Sequence, residues 1–454
     1  MINQIKPWIR KPNNLFACFL VILPLITSQI LQRLYPIIDN RYITVLGDKA
    51  LYIHNVQYNF IMFGQFIGFA TFISCLVFWK RKECLNQQGN ILVKHLLLAG
   101  SFTLLFAIIG WIFASTILTH YKVDKSYLPI ATIYLKIGLC NMVLQAIYGG
   151  LDGMLVGSQQ QRNSMYIAIL LVISNILVNR YAVYTIYSRG SHADAFQVPM
   201  EIIGVSTTIF LTIAIGIALI LIIKRVQGWE RFPLREMLPV WWGELGSYLI
   251  RGIVPFIYTY QLCFINASPG FLVTYQLAFH LSYIFCFPLL AAMQIAVRDA
   301  GQNAFEIKTA GSIPRWWNAF FYTGMIPSSI LLLLGIFASV PIMHILYGYI
   351  TPADHIPFLA LFFIGCWIGQ WGNTFTVPLR AAKKSYLVTK NFFIAELIVM
   401  LAGTQLLIFL NIATPAALGY VTLMFTFAYG FSNFRDAFLL NEKSEMSLLY
   451  EKSS

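Results

Sequence analysis

KPWIRKPNNLFACFLVILPLITSQ (6–29) and KRVQGWERFPLREMLPVWWG (224–243) are the same sentence written twice. Each is a basic segment leading into an apolar helix that carries Leu-Pro, at Leu23-Pro24 and again at Leu238-Pro239. The lag of about 215 residues is close to half the chain, as expected of a tandem repeat. Give or take a dozen residues, it also pairs Lys80, Arg81 and Lys82 with Arg298, and the loop at Arg162 with Lys383-Lys384. Tandem units of even span number keep one orientation, with their pseudo-axis along the membrane normal, and are a transporter signature.

Composition carries the membrane reading. The 454 residues are 58% hydrophobic and 11% charged, with mean hydropathy +0.69. A soluble domain carries about a quarter charged residues. A span needs about 20 apolar residues to cross roughly 30 Å of hydrocarbon. About twelve such stretches can be marked, the first near 14–38 and the last near 413–440. The expected fold class is therefore an all-α polytopic membrane protein, with about twelve transmembrane helices in two pseudo-symmetric six-helix lobes around a central cavity. The expected domains are an N-terminal lobe (1–223), a cytoplasmic linker (224–236), a C-terminal lobe (237–440) and a cytoplasmic tail (441–454). The linker VQGWERFPLREML is amphipathic and is expected along the inner interface.

The net charge of +13 invites a nucleic-acid reading, but its distribution excludes one. With the N-terminus inside, about 22 of the Lys and Arg residues fall in cytoplasmic segments, as the positive-inside rule requires. Both termini are expected in the cytoplasm and the protein in a bacterial inner (plasma) membrane, as a monomer whose partners are the bilayer and a small-molecule substrate. The N-terminal apolar stretch lacks a clear small-residue cleavage site. The seven cysteines are scattered and read as reduced packing residues. No G-x-x-x-x-G-K-[ST] occurs, so uphill transport here calls for an ion gradient. An enzyme is not expected. Paired acids, a His/Cys metal cluster and an activated nucleophile at working spacing are all missing from the sequence, and no cofactor beyond a coupling Na+ or H+ is implied.

The chemistry then lies in polar groups within the spans, which are costly in hydrocarbon and usually face a cavity or a neighbouring helix. Ser28, Gln32, Tyr35 and Asp39 recur at i, i+4, i+7 and i+11, one helical face. Asn141, Gln145, Tyr148 and Asp152 repeat that spacing, Asn175 and Asn179 are one turn apart beside Arg180, and Glu244, Tyr248 and Arg251 share a face. Asp39 is the leading cation-coupling candidate, because a carboxylate on a polar stripe can trade charge with its hydration. Structural readings compete at several positions. Gly149, Gly153 and Gly157 suit close helix packing. Glu244 can pair with Arg251, Asp152 with Arg162, and Arg41 with Asp39.

Four stretches resemble the multidrug and toxic compound extrusion (MATE) family, within the MOP exporter/flippase superfamily. They are LPLITSQILQRLYPIIDNRYITVLGDKAL (23–51), YGGLDGMLVGSQQQRNSMYIAILLVISNILVN (148–179), LAFHLSYIFCFPLLAAMQIAVRDAGQN (277–303) and TVPLRAAKKSY (376–386). The resemblance implies twelve helices in two lobes, alternating access, and export of a small organic molecule coupled to a proton or sodium gradient. It makes Asp39 the first-span cation-binding acid and Asn175 the fifth-span asparagine. Asn179 stands where many members carry a second acid. The departures thin the acids and add bases: Arg33, Arg41, Lys136, Arg180 and Arg251. Arg forks suit carboxylates and phosphates, so an anionic cargo, polycarboxylate or siderophore-like, is expected. Its candidate binding residues are Gln32, Arg33, Tyr35, Arg41, Lys136, Asn141, Gln145, Arg180, Glu244, Arg251 and Gln276. The alternative is a lipid-linked flippase, or a phosphate/citrate-type anion exporter of the progressive-ankylosis-like branch.

The orientation is testable by fusions. Green fluorescent protein after the C-terminus should fluoresce, and alkaline phosphatase inserted at 123–127 should be active; the reverse pattern refutes the cytoplasmic assignment of the termini.

Overall fold

A computed structural model describes residues 15–79, 82–121, 123–189, 196–262, 264–265, 271–302, 320–347 and 350–453. The described residues are helical with no strand. In chain order the helices are α1 (Leu15–Val45), α2 (Asp48–Phe78), α3 (Gln88–Ile112), α4 (Leu128–Gly157), α5 (Gln161–Tyr181) and α6 (Gln197–Ile223). They continue as α7 (Leu234–Leu262), α8 (Phe271–Gln302), α9 (Ile326–Tyr347), α10 (Ile356–Thr374), α11 (Ser385–Phe393) and α12 (Pro415–Ser453). Short helices extend α3 (Ala114–His120) and α10 (Thr376–Ala381). A π-helical turn, Ala182–Ile186, ends α5; another, Ile394–Ala402, joins α11 to a last helical piece, Gly403–Phe409. Eight of the described helices are long and apolar enough to cross a membrane. Their exposed faces carry large apolar side chains, among them Leu97, Ile112, Leu177, Phe337, Ile345 and Phe409, as a lipid-facing surface demands.

The chain divides into two compact units. One is Thr27–Leu234; the other is Arg235–Ser454 together with the segment through Ile26. Each has its own apolar core. Ile43, Ile53, Tyr134, Leu139 and Met200 belong to that of the first, and Tyr258, Leu281, Phe358, Phe363 and Leu418 to that of the second.

In the first unit α2 and α4 touch backbone to backbone. A Cβ on Gly149 would lie 2.6 Å from the Gly68 Cα, and one on Gly153 would lie 2.6 Å from the Phe72 Cα. A Cβ on Gly64 would lie 2.2 Å from the Met142 carbonyl oxygen. The four-residue glycine spacing is thus a packing seam, as small residues are in membrane helices generally.

The repeat is visible in hydrogen bonds. Gln159 (φ 63°) and Lys383 (φ 59°) are left-handed residues just after a helix end. Gln160 N–H donates to Leu155 O and Gln159 N–H to Val156 O; Lys384 N–H donates to Leu379 O and Lys383 N–H to Arg380 O. Both are Schellman caps, which satisfy the last carbonyls of a helix. Their separation matches the sequence lag.

Residues 226–233 form no helix; α7 begins only at Leu234. The segment is pinned by hydrogen bonds to the start of α3. Gly89 N–H donates to Gly228 O at 2.9 Å, Glu230 N–H to Asn86 O at 2.8 Å, Gln227 N–H to Gln88 Oε1 at 3.0 Å and Phe232 N–H to Asn90 Oδ1 at 3.1 Å. These bonds satisfy a backbone that a surface helix would have satisfied internally.

Gly149→Leu should destabilise the first unit, because overpacking a close backbone contact costs about 1–3 kcal/mol. Gly216→Ala should be neutral or better, since nothing lies within 4 Å of a Cβ there. Thermal unfolding in micelles followed by tryptophan fluorescence checks both; equal melting of the two variants would refute the seam.

Candidate functional site

The α1 stripe predicted from spacing meets α5 at Asp39, which is 6% exposed. Asn175 and Asn179 are fully buried, one turn apart on α5, and each donates its Nδ2–H to Asp39 Oδ1, at 2.7 and 2.6 Å. Hydrogen bonds to a charged acceptor contribute about 1.5–3 kcal/mol each, which offsets part of the cost of removing the carboxylate from water. Asp39 therefore leans on amides, and the alternative pairing with Arg41 does not form; Arg41 is exposed. The amide oxygens of Asn175 and Asn179 are buried with no hydrogen-bond partner. A carboxylate and two unclaimed amide oxygens, all hard donors, suit a proton or a small hard cation. Among the described residues no three His, Cys, Asp or Glu side chains converge.

A second polar cluster lies lower on the same helix pair. Asp152 of α4, 5% exposed, accepts from Ser164 of α5 and from Gln32 Nε2 of α1 at 3.3 Å. The expected partner Arg162 is exposed and takes no part. Gln32 and Gln145, two of the predicted binding residues, line a cavity with Asp152.

The other predicted residues scatter. Asn141 ties α4 to α6: its Nδ2 donates to Gly204 O at 3.2 Å and its Oδ1 accepts from Thr208 at 2.8 Å. Lys136 is half-buried with its Nζ 5.1 Å from the Trp111 ring centroid. Arg180 is exposed. Glu244 is buried, and among the described residues its partner is Arg380. Arg380 Nε donates to Oε1 at 2.8 Å and Nη2 to Oε2 at 3.0 Å, a bidentate pair. The side chains of Arg33, Tyr35, Arg251 and Gln276 lie outside the described residues.

Sequence reasoning missed Arg380, which is 1% exposed and also donates to Thr376 Oγ1 at 3.2 Å. It sits in the basic run RAAKK (380–384), which reads as loop charge. Asp436 was missed too. It accepts from Asn391 Nδ2 at 3.0 Å and from the neighbouring Arg435. Its i+1 arrangement with Arg435 carries no helical-face signal.

The comparisons with known proteins agree on one architecture. The MatE family model matches residues 24–181. The fold is that of MATE transporters. A MOP superfamily transporter from Pyrococcus furiosus, described as having a binding pocket of reverse polarity that suggests a different function, has a TM-score of 0.73 at 15% identity. The alignment covers 96% of this chain and 97% of that one. A multidrug resistance MATE family transporter in an outward-facing conformation has a TM-score of 0.75 at 14% identity, with 96% and 98% covered. An Asp-to-Asn variant of a Vibrio cholerae MATE transporter has a TM-score of 0.75 at 13% identity, with 96% and 97% covered. No curated protein matches the chain in sequence.

The Glu244–Arg380 pair should behave as a structural clamp. Arg380→Met leaves a buried carboxylate uncompensated and should cost about 3–5 kcal/mol, whereas Glu244→Leu with Arg380→Met should recover most of that loss. Unfolding measurements on the single and double variants check it; equal losses would remove the pair from the stability account.

Proposed function

We infer, from a MatE-family segment at 24–181 in a chain that has the MATE transporter fold throughout, that this multi-pass membrane protein is a secondary active exporter. It moves a small organic molecule out of the cytoplasm by alternating access, coupled to a proton or sodium gradient. The observation that carries the reading is Asp39: a buried carboxylate held by Asn175 and Asn179, whose own oxygens are unclaimed. Charge on Asp39 is costly in hydrocarbon unless a cation or a donor meets it. Cation binding and release there would therefore bias the two access states, since a ligand shifts a conformational equilibrium only by its differential affinity.

The cargo we propose is anionic, polycarboxylate or siderophore-like. Among the described residues no acid pairs with Arg41, Lys136 or Arg180, so the bases near these spans are not consumed by local salt bridges. The reverse pocket polarity described for the Pyrococcus furiosus protein, and said there to suggest a different function, is a precedent on this fold for a pocket of changed charge. We place the protein in the inner membrane with both termini cytoplasmic, acting as a monomer.

Proteoliposomes with an imposed proton or sodium gradient test the whole reading. Wild type should move polycarboxylate anions when the gradient is present, and Asp39→Asn should abolish the gradient dependence. Transport indifferent to both gradient and Asp39 would point to a facilitator or a lipid-linked flippase. Robust movement of organic cations alone would remove the anionic cargo and leave the coupling site.

A further inference from the structure

The cluster around Asp152 has no task in the transport reading, which uses only Asp39. It is built from three helices of the first unit. Ser28 and Gln32 come from α1, Asp152 and Tyr148 from α4, and Ser164 from α5. Ser28 Oγ and Ser164 Oγ are 3.1 Å apart, and both residues are fully buried. Gln32 Nε2 bridges Ser28 Oγ and Asp152 Oδ2, at 3.3 Å to each.

Two further observations point to an occupant. A cavity of about 60 Å³ opens beside the carboxylate, lined by Gln32, Gln65, Gln145, Tyr148 and Asp152 among others. A water needs roughly 10–15 Å³ of such room, so the space holds a small ion with its water. The Tyr148 side chain is 4% exposed and lines this cavity, yet its hydroxyl has no hydrogen-bond partner. A buried hydroxyl without a partner costs about 1–3 kcal/mol, unless something in the cavity completes it.

The charge count selects the class of occupant. Among the described residues no cation faces Asp152. Its neighbours are Tyr148 on its own helix, Gln65 on α2, Gln32 and Ser28 on α1, Ser164 on α5 and Leu211 on α6. Tyr148 is the titratable group among them, and Arg162, in the first turn of α5, is exposed. One negative charge beside a cavity lined by hydroxyl and amide groups calls for one positive charge that the carboxylate and hydroxyl oxygens can hold.

We propose that Asp152, with Ser28, Ser164 and Tyr148, forms a second monovalent-cation station, for a proton or a sodium ion, in the first unit. It lies on the same helix pair as Asp39. Gln32 and Asp39 are seven residues apart on α1, about 10 Å along the axis, and Ser164 and Asn175 are eleven apart on α5, about 16 Å. The polar stripe of α1 thus serves two acids in succession: Ser28 and Gln32 at the one, Asp39 itself at the other.

Infrared difference spectra of the purified full chain in micelles, recorded at stepped pH with sodium chloride or choline chloride, test the station without any transport assay. A protonated-carboxyl band that titrates, vanishes in Asp152→Asn and persists in Asp39→Asn is the expected result. Suppression of that band by sodium and not by choline identifies sodium; indifference to both salts identifies the proton. Ser164→Ala and Tyr148→Phe keep the carboxylate, and each should move the midpoint by about one pH unit, tenfold in affinity. These two decide the matter if Asp152→Asn fails to fold. A spectrum unchanged by Asp152→Asn, or midpoints unmoved in both conservative variants, overturns the proposal. The Asp39→Asn spectrum reports on the coupling site separately, so either assignment can fail alone.

Discussion

A carboxylate inside the hydrocarbon layer has no water to share its charge, and this constraint organises the interior of both units. Three described buried acids in the spans are met by donors from other helices. Two asparagines meet Asp39, a serine and a glutamine meet Asp152, and an arginine meets Glu244. The acids therefore fix which helix faces must come together. At Asp39 and Asp152 the donors are neutral, so the charge is softened rather than cancelled. At Glu244 it is met by the opposite charge of a bidentate guanidinium.

That contrast separates ion chemistry from architecture. Neutral donors leave room for a mobile cation, and at Asp39 they also leave two amide oxygens unused. The Glu244–Arg380 pair instead joins α7 to the short helix after α10, as a clamp within its unit. The repeat preserved the frame and let the chemistry diverge. Schellman caps at Gln159 and Lys383 recur in both halves, and so do π-helical turns directly after α5 and after α11. The buried polar residues do not recur: Asn175 and Asn179 in α5 stand against Glu396 in the π-helical turn after α11. Helix caps satisfy backbone groups, which every copy of a helix shares, whereas side chains are free to change.

Much of the site was legible because helical spacing is a local property. The 3.6-residue period put Ser28, Gln32 and Asp39 on one face, and the four-residue step put Asn175 and Asn179 on one face. The glycine seam at Gly149 and Gly153 was legible for the same reason. The partners were not. Glu244 meets Arg380, 136 positions away in sequence, and no local spacing announces that pair. Arg162 is near Asp152 in sequence, but its first-turn position on α5 turns it outward while Ser164 turns in. The linker's pairing was not legible either: Gly89 and Gly228 allow an approach so close that its backbone bonds to the start of α3.

The sequence by itself determined the membrane class, the twofold repeat, the helices and the polar faces along them. These follow from composition and from periods shorter than a dozen residues, and each is set by the chain's immediate neighbourhood. Only the tertiary structure decided which acid meets which donor, and so which acids are left open to a cation and which are locked in a clamp. Pairing across helices depends on the rotation and depth of each rod, and those are set by packing seams and by the few residues that approach closest.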